Sequence, residues 1–190
     1  MSNINEYHLS RLDLEGLREF FIQQGDCRVV RRKEYIVRQG ERFHPIGFVE
    51  RGMFRHLRTD SSGKEHVVGY SPENEFAGDY AALLCGQPSS ISLQAVCDST
   101  IYLVSHNDLE NFWQQSPAHQ QLGRNVAEQL FAMSYRRLTD SYCLTPEERY
   151  VDLMRRYPTL KEQVPLREIA SFIGVTPETV SRIRRALLQK

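Results

Sequence analysis

The chain has 190 residues, 24 Lys and Arg against 24 Asp and Glu, and 41% apolar side chains. It is long enough for a real core and for one large domain or two small ones. The zero net charge argues against global attraction to nucleic acid or membrane, and no run of eighteen apolar residues spans a bilayer. Cys27, Cys85, Cys97 and Cys143 are scattered without a C-x-x-C pair, so buried thiols in a reducing cytoplasm are expected rather than a metal cluster. Residues 1–6 show no basic-then-apolar pattern, so a secretory signal is not expected.

In chain order, Leu14, Leu17, Phe20 and Phe21 recur at helical spacing and predict a short N-terminal helix within residues 1–22, closed near Gly25. Short segments punctuated by glycine turns follow over residues 23–106. These are 35–39 before Gly40, 47–51 before Gly52, 53–58 before the Asp60 to Gly63 turn, 65–70, the alternating 90–96, and 100–104. Such spacing predicts a small antiparallel β-roll of jelly-roll type. From residue 107 the pattern becomes helical. A short helix ends at Ser116-Pro117, and Leu122, Val126, Leu130 and Met133 then step by four, four and three. That near-heptad is expected to pair with a second copy along a long helix to about residue 140, with Gly123 weakening it locally.

Residues 141–190 predict a helix-turn-helix. Thr145-Pro146-Glu147-Glu148 is a capping box with proline at the first helical position. Ile169, Ala170 and Ile173 form one helical face, Gly174 supplies a left-handed stop, and Thr176-Pro177 opens a second helix with Val180, Ile183 and Leu187 inward. Thr176, Glu178, Thr179, Ser181, Arg182 and Arg185 are thereby candidates for DNA contact. Residues 146–190 carry nine basic and six acidic side chains, a local surplus that suits phosphate. Arg182 matches the two acceptors of a guanine edge, and Glu178 matches a cytosine amino group.

Roll, long helix and helix-turn-helix, in this order, resemble the Crp/Fnr family of bacterial transcription regulators. The resemblance covers nearly the whole chain, in an α+β fold. It is sharpest in Glu178-x-x-Ser181-Arg182, like the family's E-x-x-S-R reading motif, and in Phe76-Ala77-Gly78-Asp79 followed by Gly86-Gln87 and Ser89-Ser90, like its phosphate-binding cassette. It implies a homodimer on an inverted repeat with half-sites like TTGA, roughly 34–36 Å apart along duplex DNA. RNA polymerase and a small-molecule effector are the further partners it implies, with no cofactor and no membrane. Gly78, Asp79, Ser89, Ser90 and Ser134 are the implied ligand-pocket positions. Asp79 stands where the cyclic AMP binders carry glutamate, and Ser89 where they carry the phosphate-binding arginine. A serine gives no bidentate charged pair, so cyclic AMP is not the expected effector. The chain ends at Lys190, where most relatives add a β-hairpin wing, so the wing is expected to be missing.

The alternative is a ligand-binding regulatory module that acts through protein contacts. A cupin-like metalloenzyme is disfavoured, because His44, His56, His66 and His106 are spread singly and form no ligand cluster.

Overall fold

The computed structural model describes residues 12–43 and 45–189; the start of the predicted N-terminal segment and His44 lie outside the described residues. Helix α1 (Glu15–Gln24) leads into eight strands: β1 (Asp26–Val30), β2 (Tyr35–Val37), β3 (Ile46–Arg51), β4 (Met53–Thr59), β5 (Glu65–Pro72), β6 (Phe76–Ala77), β7 (Ser92–Ala95) and β8 (Ser99–Val104). A one-turn helix, α2 (Tyr80–Leu84), sits between β6 and β7. The strands form two antiparallel sheets, ordered β1-β8-β3-β6 and β2-β7-β4-β5. Val49, Phe54, Leu93, Ile101 and neighbours fill the space between them. The β4–β5 hairpin turns at Asp60, whose carboxylate accepts from the backbone N–H of Ser62 and Lys64 and from the Ser62 hydroxyl. The roll is therefore the expected one.

Two strands depart from the expected pattern. β1 carries no alternation in its Asp-Cys-Arg-Val-Val sequence, because it is an edge strand with only Val30 buried. β7 alternates in sequence yet is buried on both faces. Gln94 lies inside because Arg55 donates to its side-chain oxygen and its amide donates to the Lys33 carbonyl.

After the roll come α3 (His106–Gln114) and α4 (Pro117–Cys143). The Ser105 and Ser116 hydroxyls accept from the first turns of these helices. α4 continues past residue 140, since Ser141-Tyr142-Cys143 contains no breaker. Gly123 has a packing reason that its sequence position conceals. A Cβ there would lie 3.0 Å from the Trp113 ring, so the glycine lets α3 and α4 approach closely.

The expected seam residues lie on the side of α4 that faces their own protomer. Leu122, Val126 and Leu130 pack in one cluster with Leu109, Phe112 and Trp113 of α3 and with Phe48 and Val104 of the roll, and Val126 is 7% exposed. Met133 lines a cleft on the same protomer. This face of α4 is engaged within one chain. The exposed stripe is instead Phe131, Tyr135, Leu138 and Tyr142, at 72%, 61%, 55% and 82% exposure and spaced by four, three and four.

Leu144 and Thr145 make the bend into α5 (Pro146–Arg156), with the capping box formed in both directions. Arg149 pins the bend by donating to the carbonyls of Ser141, Leu144 and Ile173. A short helix, α6 (Leu160–Gln163), precedes α7 (Leu166–Ile173) and α8 (Pro177–Leu187). One apolar cluster runs from Leu57, Val67 and Tyr70 of the roll into Leu153, Ile169 and Val180 of this unit.

Candidate DNA-reading helix and ligand cassette

The candidate reading helix, α8, is built by its caps and its buried face. Gly174 takes φ +71°, and the Val175 N–H returns to the Ala170 carbonyl, which ends α7 sharply. Thr176 then caps α8, its hydroxyl accepting from the Thr179 N–H. Val180 and Ile183 are buried with Ile169, Ala170 and Ile173, which fixes the rotation of α8 about its axis. That rotation leaves Glu178, Ser181, Arg182 and Arg185 exposed, with Thr179 half-buried behind them. The expected contact residues thus share one outward side.

Glu178 and Arg182 are one turn apart, yet no ion pair joins them among the described residues. The backbone N–H of Glu178 and the Thr176 hydroxyl hold the Glu178 carboxyl below its ordinary range. The carboxylate is therefore directed to the helix N-terminus, and the Arg182 guanidinium is left to an outside partner.

The cassette is also assembled, though not as an open cradle. Gly78 has φ +147°, and a Cβ there would meet Ile46 Cδ1 at 2.7 Å, so the position needs glycine. Asp79 follows as the N-cap of α2 and accepts from the Ala82 N–H at 3.1 Å. Its second oxygen accepts from both the N–H and the hydroxyl of Ser90, each at 2.7 Å. The carboxylate thus takes up donors that would otherwise face a phosphate. Ser89, at 3% exposure, turns inward and donates to the Ile91 carbonyl. Ser134 lies apart from these groups, on the wall of a cleft that Gly78 also borders.

That cleft, about 910 Å³, was not expected. It lies between β5, α4 and the helix-turn-helix unit, and Arg137, Arg156, Tyr157 and Phe172 reach it from three helices and the link after α5. Arg137 stands over the Phe172 ring, 4.9 Å from its centre. His56, also on the wall, has its ring Nε2 3.0 Å from the Ser71 hydroxyl. Burial, then the nearby Arg137, lowers its pKa to about 4, against a smaller opposing pull from Asp79. These residues were invisible as a group because they are brought together only when the two units dock. Docking uses the Val67 N–H to the Ser171 hydroxyl at 3.0 Å, the Tyr157 hydroxyl to the Tyr70 carbonyl at 3.2 Å, and an ion pair between Arg55 and Glu168.

Comparison with known proteins agrees with this arrangement. The family model of the cyclic nucleotide-binding domain matches residues 19–116. The cAMP-activated global transcriptional regulator CRP of Salmonella typhimurium is 21% identical over 179 residues, covering 89% of this chain and 85% of its own. Among solved structures, the c-di-GMP responsive global regulator CLP of Xanthomonas campestris superposes with a TM-score of 0.68 at 18% identity over 92% of each chain. FixK2 of Bradyrhizobium japonicum gives 0.67 at 20% identity, over 87% of this chain and 85% of that one.

Proposed function

The chain belongs to the cyclic nucleotide-binding domain family, within the Crp/Fnr regulators, and on that premise we propose that it is a homodimeric, sequence-specific DNA-binding transcription regulator rather than an enzyme. The observation that carries this reading is the row Glu178, Ser181, Arg182 and Arg185, exposed on a helix whose other side is locked into its own unit. A helix so held presents these residues to a major groove with little freedom left to lose on binding. Arg182 reads guanine bidentately, Glu178 accepts from a cytosine amino group, and Ser181 and Thr179 touch base or phosphate. Arg185 ends the row and Thr176 flanks it, both toward the DNA backbone.

The second copy joins through α4. Its exposed stripe of Phe131, Tyr135, Leu138 and Tyr142 has the spacing of a coiled-coil seam, and the rings of Phe131 and Tyr135 already stack at 6.2 Å. Two reading helices related by a two-fold axis then match an inverted repeat of half-sites like TTGA. RNA polymerase is the partner through which such a regulator acts. The effector, where one acts, is not cyclic AMP, because Asp79 occupies the cassette donors and Ser89 faces the core.

The decisive experiment is selection from a random DNA library followed by comparison of the wild type with Arg182→Ala. The wild type is expected to select an inverted repeat. Arg182→Ala is expected to lose about 1–3 kcal/mol per half-site and its preference at one guanine. Arg184→Ala, off the reading row, is expected to weaken all sequences alike. A library without an inverted repeat, or an unchanged preference at every position in Arg182→Ala, would remove this helix as the reader.

A further inference from the structure

The bend between α4 and α5 is closed by one side chain that reaches two helix ends. Arg149 donates through Nη1 to the carbonyls of Ser141, at 3.1 Å, and Leu144, at 2.9 Å, and through Nε to that of Ile173, at 3.1 Å. Ser141 lies in the last turn of α4, and Ile173 ends α7. Carbonyls there have no donor within their own helix, and the helix dipole leaves partial negative charge on them. Neither α4 nor α7 has a basic residue in its last turn. Arg149 therefore supplies the cation to both ends at once, and its planar fork of donors holds them in one geometry. Its own root is set by the capping box at Thr145, at the start of the same helix.

What each end carries makes this contact consequential. α4 bears the exposed stripe on which the second copy is proposed to sit. The end of α7 leads through Gly174, Val175 and Thr176 straight into α8. Elsewhere α7 is held to the roll, by Glu168 to Arg55 and by the Ser171 hydroxyl to the Val67 N–H. Those contacts fix α7 against the roll, whereas Arg149 fixes its last carbonyl against the end of α4. Base reading is separate from both. The outward row of α8 is set by Val180 and Ile183 packing on Ile169, Ala170 and Ile173, all within the reading unit.

We infer that Arg149 is a positioning residue that sets the distance and angle between the two reading helices, and so the spacer that the protein accepts between half-sites. Each added base pair moves a half-site by about 3.4 Å along the duplex and turns it by roughly 34–36°. A reader locked to the end of α4 meets one such placement. A reader free to pivot at Leu144 and Thr145 meets several. This deepens the dimeric regulator reading and rests on it.

The test uses the full chain and duplexes that carry the selected half-site as an inverted repeat, the spacer changed one base pair at a time. Anisotropy titration of the wild type is expected to show one best spacer, with a loss of about tenfold or more one base pair to either side. Arg149→Gln is expected to keep the half-site sequence, to bind the best spacer more weakly, and to bring the neighbouring spacers within about threefold of it, because the pair of readers is no longer pre-organised. Arg149→Lys, a point charge that reaches one helix end without spanning both, is expected to fall between, and it carries the comparison by itself if Arg149→Gln does not fold. Arg182→Ala is expected to do the reverse, losing the guanine preference at an unchanged spacer. Urea midpoints on each variant separate lost positioning from lost folding. One sharp spacer kept in the folded Arg149 variants, or equal weakening at every spacer, would overturn the inference and leave the dimeric reader standing. A wild type that selects no inverted repeat would overturn both.

Discussion

Asp79 carries the sharpest consequence at the scale of single residues. Its carboxylate accepts from the Ala82 N–H and from both donors of Ser90. A cyclic nucleotide entering this cassette would find those donors taken and a negative charge already in place. Its phosphate would also lack the bidentate cation that an arginine provides, because Ser89 bonds to the Ile91 carbonyl in the core. Two anions a few ångströms apart, poorly screened, repel strongly. Calorimetric titration with cyclic AMP is therefore expected to show no binding up to millimolar concentration, and a micromolar affinity would contradict the closed cassette. Part of this was legible beforehand. The serine at 89 and the shorter carboxylate at 79 are visible as residues. Their mutual closure was not, because it depends on α2, a five-residue helix of Tyr, Ala and Leu with no periodicity to announce it.

Helix α4 carries two apolar stripes, and its pattern alone does not rank them. Leu122, Val126, Leu130 and Met133 make a near-heptad, and so do Phe131, Tyr135, Leu138 and Tyr142. Period alone cannot say which stripe meets the protomer's own roll. The deciding fact is tertiary: Trp113 over Gly123 turns the first stripe inward. By contrast, the local signals of the reading unit agreed with one another. Gly174, Thr176, Pro177 and the capping box at Thr145 act within a few residues and need no distant partner. The two faces of α4 predict opposite outcomes. Tyr135→Glu or Leu138→Glu is expected to yield folded monomers in sedimentation at micromolar concentration, with weakened binding to an inverted repeat. Val126→Ala is expected to cost roughly 1–3 kcal/mol in urea unfolding while the mass stays that of the wild type. If Val126→Ala dissociated the protein and Tyr135→Glu did not, the second copy would sit on the first stripe.

At the scale of the whole molecule, the open question is whether roll and reading unit behave as two bodies or one. Interfaces between domains are commonly polar and permit relative motion unless they are large and apolar. Here Leu57, Val67 and Tyr70 of the roll share a cluster with Ile169, Ala170 and Val180, so no solvent layer separates the two cores. The Tyr70 ring lies 5.7 Å from Phe172 and 6.0 Å from Tyr157. Polar groups close the same seam. Arg55 links Gln94 of the roll to Glu168 of α7, and the Glu168 side chain is only 12% exposed. Removing Arg55 would leave that carboxylate buried without its cation, a loss of about 3–5 kcal/mol for a well-buried pair. Because the pair spans the junction, the loss falls on the docking rather than on either core. The wild type is therefore expected to unfold in one calorimetric transition, with calorimetric and van't Hoff enthalpies equal. Arg55→Ala is expected to lower the midpoint, and Arg55→Ala with Phe172→Ser to split the curve into a reading-unit step and a roll step. Two resolved transitions in the wild type would mean that the units hold no common core. A change in the cleft would then have no rigid route to the spacing of the reading helices, and any effector would have to act through α4 alone.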